Sequence, residues 1–199
     1  ATPVGIDATQ IHFTSHSIGA MTGAAHVKFS SATRTAVLAN PGGPIALVAE
    51  ESGRYGPIAR SLVSRLVPVD TYNYNTVWRD VQAVVDAGDP YNHIKGAAAR
   101  HPLLMFEVLG DGSIPNVSTD ALIDAAGLTQ VTTLGPNPVG DGAYTVFSDG
   151  NGHTTLLDWV NQPATLEMQM QAMYFAATAT QPGGPFVTLT NPAVLDLGD

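Results

Sequence analysis

The 199 residues carry 8 Lys and Arg against 17 Asp and Glu, a formal charge of −9, with 44% hydrophobic and 13% charged residues. Those proportions belong to a packed globular chain and exclude wholesale disorder, and the length allows one large domain or two small ones. The carboxylates are spread along the chain with no Lys/Arg cluster, so there is no electrostatic footprint for a phosphate backbone or an anionic membrane surface, and nucleic acid is not expected as a partner.

No apolar run approaches the roughly 18 residues that span a bilayer, and the amino end shows no basic segment followed by an apolar stretch. The chain is therefore expected to be soluble and without an export signal. Zero cysteines exclude disulfides, thiolate metal sites and a cysteine nucleophile, and leave the redox compartment open.

Gly and Pro recur as punctuation between apolar segments, with no repeat at a fixed period, which predicts many short elements in one domain. In chain order these are a strand near Gln10 to Ser15, a helix over Ser17 to Phe29 rich in small residues, and a strand from Arg34 to Ala39. Helices follow at Pro57 to Leu66, opened by a first-turn proline, and at Thr76 to Ala87. A strand at Leu103 to Leu109, a helix at Ser118 to Ala126 with a Ser-Thr-Asp start signal, a strand at Ala143 to Phe147 and a helix at Thr165 to Thr178 complete the series. The strands are assigned because each run is short, apolar or β-branched, and ended by Gly, Asn or Asp. Four strands alternating with helices predict an α/β domain on a mostly parallel sheet, with sites at the strands' carboxyl ends. Residues 40–102 form a long excursion between the second and third strands, expected to be a cap or lid.

The first strand runs directly into Ser15-His16-Ser17-Ile18-Gly19 and then a helix with Gly23, Ala24 and Ala25. Small residues two before and two after a serine are what a sharp strand-to-helix turn needs, because larger side chains would clash with neighbouring backbone. Such a turn holds the Ser17 hydroxyl above the sheet and aims the Ile18 N–H at an oxyanion. The ordinary alternative is a βα turn with Ser17 capping its helix.

A serine hydroxyl needs a base. Of six histidines, His153 lies in the flexible loop Asp149-Gly150-Asn151-Gly152-His153 after the last strand, where it could swing over the sheet edge or simply face solvent. His16 would line the site. His12 and His16 are four apart on a strand and turn rather than a helix, which makes a poor metal pair. His26, His93 and His101 have no accompanying pattern. Among the acids, Asp111 falls just past the third strand, where a carboxylate could orient an imidazole or merely form an Asp-Gly turn. Glu107 lies within the strand, and Asp86 and Asp89 compete from the excursion. The order Ser17, Asp111, His153 is that of α/β-hydrolases.

At these residues the chain resembles the large secreted lipases of Gram-negative bacteria, within the α/β-hydrolase superfamily. The resemblance extends over most of the chain. It rests on Ile11 to Gly19 as the nucleophile turn, Asn40-Pro41-Gly42-Gly43, Gly88-Asp89-Pro90, Gly110 to Asn116 as the acid loop, Gly152-His153, and Glu167-Met168-Gln169-Met170-Gln171 in the last helix. Ser15 stands where that family usually has Gly. The resemblance implies an α/β-hydrolase-like domain over 1–199 that corresponds to the carboxyl-terminal portion, because only about 16 residues precede Ser17 where several strands and a second oxyanion donor are expected. A sheet so reduced would expose an edge and apolar faces, so a partner chain or homo-oligomer completing the sheet is expected.

The function so implied is a carboxylic ester hydrolase, a lipase or esterase of lipid degradation. Ser17 would be its nucleophile, His153 its base, Asp111 the orienting acid and Ile18 N–H an oxyanion donor, with no metal or organic cofactor. Secretion follows from the resemblance alone. Ile45, Leu47, Val48, Ile58, Leu62, Leu66 and Val67, with Tyr72, Tyr74 and Trp78, either cover an acyl pocket or pack the domain. Two alternatives stand beside this. One is a catalytically incompetent hydrolase fragment acting as a binding or complementation module, and the other is a polyester hydrolase or acyltransferase with the same triad.

Overall fold

Short β-branched and apolar runs of this kind make strands, and parallel pairing then demands a crossover helix between successive strands rather than a tight hairpin. In the computed structural model, which describes residues 5, 7–69, 71–150, 152–158, 160 and 163–198, this is what the chain does. The first half comprises β1 (Ile11–His16), α1 (Ile18–Phe29), β2 (Thr33–Ala39), α2 (Ile45–Glu51), α3 (Gly56–Ser64), α4 (Tyr72–Val85) and α5 (Tyr91–Ala98). The second comprises β3 (Leu103–Val108), α6 (Asn116–Ala126), β4 (Thr129–Gln130), β5 (Gly135–Pro138), β6 (Gly142–Phe147), α7 (Pro163–Ala177), β7 (Phe186–Leu189) and β8 (Leu195–Asp196). A 3-10 turn, Gly152–Leu157, lies between β6 and α7.

The main sheet runs β1-β2-β3-β6-β4 with every pair parallel, and β8 adds antiparallel to β6; β5 and β7 form a separate antiparallel pair. Alternate residues of the central strands point to opposite faces. Ala36, Leu38, Leu103 and Met105 pack with Ala20, Ala24 and Val27 of α1, Ile94 and Ala97 of α5, and Leu122 of α6. Val37, Leu104, Phe106 and Val108 pack with Met168, Ala172 and Phe175 of α7 on the other face. Gly23 lets α1 come close, since a Cβ there would stand 2.7 Å from the Phe13 ring.

Among the described residues β1 is an edge strand, paired only with β2. Beside it, α7 turns an apolar stripe outward, with Leu166 51%, Met170 40%, Met173 72% and Tyr174 36% exposed. A groove of about 380 Å³ joins Thr14 of β1 to Leu157 and Met173.

The expected mostly parallel sheet with flanking helices is present, with differences of detail. Among the described residues the sheet has six strands rather than four, because β4 and β8 are two-residue pieces, too short for an alternation pattern to register. The α6 start lies at Asn116 rather than Ser118: the Ser118 hydroxyl donates back to Pro115 O at 2.7 Å and the Thr119 hydroxyl to Pro41 O at 2.8 Å, so both are buried inside the helix. Among its described residues the excursion holds four α-helices instead of two. α5 belongs to the sheet-covering layer, while Ala46, Val63, Tyr74 and Trp78 form a small core shared by α2, α3 and α4. Among the described residues no helix is long and apolar enough to cross a membrane.

Candidate active site

β1 ends at His16, and Ser17 takes φ 57° and ψ −128°, a left-sided backbone that a non-glycine residue adopts only when its surroundings hold it there. Three bonds do so: Ser17 N–H donates to Ala39 O at 2.9 Å, and Ser17 O accepts from Ala20 N–H at 2.8 Å and Met21 N–H at 3.0 Å. The turn projects Oγ over the sheet edge at the start of α1, with the Ile18 N–H in the helix's first turn. Ser15 fits in place of a glycine because the residues flanking the turn barely meet; a Cβ on Gly19 would stand 3.9 Å from Ser15 Cβ.

The structure brings the three expected residues together. Ser17 Oγ lies 2.6 Å from His153 Nε2, and His153 Nδ1 lies 2.8 Å from Asp111 Oδ2. They come from three strand ends, since Asp111 follows β3 and His153 follows β6. Asp111 is buried, and its Oδ1 accepts Ser113 N–H at 2.8 Å and Ile114 N–H at 3.0 Å. Burial pushes the Asp111 carboxyl upward, but the hydrogen bonds from His153, Ile114, Ser113 and Asn40 outweigh it and hold the pKa below the usual aspartate value. The carboxyl is thus held toward its ionised form, with Oδ2 facing the imidazole and Asn40, and Oδ1 on two main-chain N–H groups.

Two asparagines that the sequence reading left without roles complete the acid's support. Asn40, at the end of β2, donates from Nδ2 to Asp111 Oδ2 at 2.8 Å. Asn116 braces the loop that carries the acid: Nδ2 donates to Val108 O at 2.9 Å and Glu107 Oε1 at 2.7 Å, and Oδ1 accepts Gly110 N–H at 3.0 Å. Only the positions of Asn40 after one strand and Asn116 within the acid loop hinted at this.

His16 stands against His153, with ring centroids 4.9 Å apart, and its Nε2 meets His153 O. Tyr72 is 80% exposed, whereas Tyr74 and Trp78 are buried edge to face in the excursion's own core, with centroids 6.2 Å apart. Those two aromatics therefore pack α2 to α4 together. Asp89 is fully buried and ties the excursion together, accepting from Ile45 N–H at 2.6 Å, Gln82 Nε2 at 2.8 Å and Tyr91 N–H at 2.8 Å. Asp86 accepts from Gln82 Nε2 at 2.7 Å. Neither is the acid next to His153. Glu107 faces Asn116 rather than the imidazole.

His12 bonds Thr35 Oγ1 at 2.7 Å, His93 lies 2.9 Å from Ala87 O, His101 lies 3.0 Å from Ser30 O, and the His26 ring stacks on Phe13. Among the described residues no group of three or more His, Cys, Asp or Glu could hold a metal ion.

No protein-family model matches the sequence, and no curated protein matches it. Solved structures do. A puromycin hydrolase matches with a TM-score of 0.58 at 15% identity, over 93% of this chain and 24% of that one. A puromycin-hydrolyzing peptidase of Mycobacterium tuberculosis matches with a TM-score of 0.55 at 14% identity, over 92% of this chain and 24% of that one. An acylaminoacyl peptidase of Pyrococcus horikoshii matches with a TM-score of 0.53 at 14% identity, over 96% and 26%. The chain thus spans about a quarter of the length of these proteins, and at such identities the likeness is one of fold. The parallel sheet, the serine turn after β1 and these neighbours identify the architecture of the described residues as that of the α/β-hydrolase fold.

Proposed function

We propose that the chain is a carboxylic ester hydrolase acting through Ser17, His153 and Asp111, of the secreted lipase and esterase type that its sequence resembles. The observation that carries the reading is the 2.6 Å approach of Ser17 Oγ to His153 Nε2, on a turn strained enough to expose the hydroxyl. His153 Nε2 takes the hydroxyl proton as Oγ bonds to the acyl carbon, and the carbonyl π electrons move onto its oxygen. The Ile18 N–H faces that oxyanion. Collapse expels the alkoxide, which leaves with the proton from His153. Water, deprotonated by the same imidazole, then attacks the acyl-enzyme and releases the acid. Asp111 keeps Nδ1 protonated and stabilises the imidazolium throughout. No step calls for a metal or organic cofactor.

Ser17 sits at the end of the edge strand, so a partner strand added beside β1 arrives next to it. In this reading that partner, another polypeptide or a second copy of this chain, covers the α7 stripe and supplies a second oxyanion donor. The test is hydrolysis of a short-chain nitrophenyl ester, and labelling by a fluorophosphonate, with Ser17→Ala as control. Hydrolysis and labelling abolished by the substitution support the reading, and a wild-type chain inert to both overturns it for this chain alone.

The names of the fold neighbours favour a second reading, in which the bond cut is an amide. The same steps serve an amide, and a nitroanilide compared with the matching nitrophenyl ester separates the two.

A further inference from the structure

We propose that His16 is a positioning residue that fixes the base, holding the His153 main chain over Ser17 by donating from Nε2 to the His153 carbonyl. This deepens the triad reading above and rests on it for its consequence in turnover, though not for its geometry.

The contact joins the two halves of the site by a route independent of the reacting atoms. His16 is the last residue of β1 and immediately precedes Ser17, so it shares the backbone whose position is fixed by pairing with β2, His16 opposite Ala39. His153 comes from the segment that follows β6. It is the second residue of the 3-10 turn Gly152–Leu157, in which Gly152 takes φ 55° and which side chains of the turn and of α7 also hold. Thr155 Oγ1 donates to Gly152 O at 2.9 Å, Thr165 Oγ1 to Thr155 O at 2.6 Å, and Gln169 Nε2 to Leu156 O at 2.9 Å. The first closes the turn on itself, and the other two bind its later part to α7. The bond from His16 reaches the carbonyl of the base itself and secures it to the nucleophile's own strand.

Donation from Nε2 requires a proton there, which is met by the neutral ring protonated on Nε2. The half-buried position supports that state: burial is the largest influence on His16 and lowers its pKa, as does the charge on His153, against the hydrogen bond to His153 O and the charge of Asp111, which raise it. A ring held neutral adds no second cation 4.9 Å from the imidazolium that forms during acyl transfer. A ring that merely lined the substrate pocket would have no need of a bond to the main chain behind it.

The expected effect is on the chemical step. Displacement of a reacting group by about 1 Å costs on the order of 100-fold, so His16→Ala should lower kcat roughly 10- to 100-fold with little change in KM. A glutamine amide nitrogen occupies nearly the place of the imidazole Nε2, so His16→Gln should keep the bond and most of the kcat, whereas the shorter His16→Asn should behave as the alanine. A second readout needs no turnover. The Nδ1 proton between His153 and Asp111 should give a low-field NMR resonance in wild type and His16→Gln that broadens or vanishes in His16→Ala, with circular dichroism of all variants showing the same folded state.

Three outcomes overturn the proposal: a loss expressed in KM alone, His16→Gln as damaged as His16→Ala, or a resonance indifferent to all substitutions. If wild type fails to hydrolyse the ester while the resonance follows the predicted pattern, the positioning role stands and the ester reading falls. If both fail, both fall.

Discussion

Asn40 Nδ2 and Asp111 Oδ2 stand 2.8 Å apart, on the same carboxylate oxygen that His153 Nδ1 approaches at 2.8 Å. One oxygen thus receives two donors from different strand ends, and its direction toward the imidazole depends on both. Asn40 sits at φ 48°, in the left-handed region that asparagine tolerates better than most side chains. The amide bond and the backbone can therefore be separated by substitution.

Asn40→Gly keeps the backbone and removes the amide, while Asn40→Ala removes the amide and adds a backbone penalty of about 1 kcal/mol. Both should lose about 10-fold in kcat, the worth of one hydrogen bond to a charged group. Chemical denaturation should show the alanine variant less stable than the glycine variant. Equal kcat in wild type and both variants would remove Asn40 from the site's support.

The division between what was and was not legible in the sequence follows from range. β1, β2, β3 and β6 could be read because their apolar runs are bounded by turn residues, and Ser17 because a strand-to-helix turn makes local demands on Ser15 and Gly19. Asp111 and His153 could be placed by chain order. Asn40 and Asn116 could not, since each acts on a group distant in sequence or through a loop whose shape no local pattern states. Tyr74 and Trp78 stayed open for the converse reason: large aromatics in a cap read equally well as pocket or core, and only the structure shows them packed with Ala46 and Val63.

Asp111 also predicts an acid limb of stability. Its folded pKa lies below the ordinary aspartate value, so its contribution is complete above that value and is lost as pH falls through the folded one. The stability gap between wild type and Asp111→Asn, measured by urea denaturation, should be constant near neutrality and narrow below about pH 4. In turnover the same substitution should cost on the order of 10³- to 10⁴-fold at pH 7, because an amide no longer stabilises the imidazolium. A stability gap that widens on acidification would contradict the account.

Glu107 should act with the opposite sign. Its carboxyl is buried on the α6 side of β3, and burial, joined by the charges of Asp120 and Asp196 against the bond from Asn116, pushes its pKa up to about 7. Between about pH 4.5 and 7 the folded chain keeps a proton that the unfolded chain has released, so this group's contribution to stability falls as pH rises. Glu107→Gln retains an acceptor for Asn116 Nδ2 and never ionises. It should match wild type at pH 5 and exceed it at pH 8, by at most about 3 kcal/mol. Urea denaturation at the two pH values checks this; a variant less stable than wild type at pH 8 would mean that the Asn116 bond needs the carboxylate.

The α7 stripe predicts how the site depends on company. Met170 and Met173 lie on the outer face of α7 beside the β1 edge, and a carboxylate at either makes burial against a partner costly while leaving the inner contacts of Met168 and Phe175 intact. If a second copy covers this face, wild type should sediment as a larger species at higher concentration, and Met170→Glu with Met173→Glu should hold it as a monomer. The rate at which a fluorophosphonate labels Ser17 then distinguishes a bystander interface from one that completes the oxyanion hole. It should rise with protein concentration in wild type and stay flat and low in the double variant, whose circular dichroism should be unchanged. A labelling rate indifferent to both concentration and substitution would separate the stripe from the site and leave Ile18 N–H as the donor that this surface does not supplement.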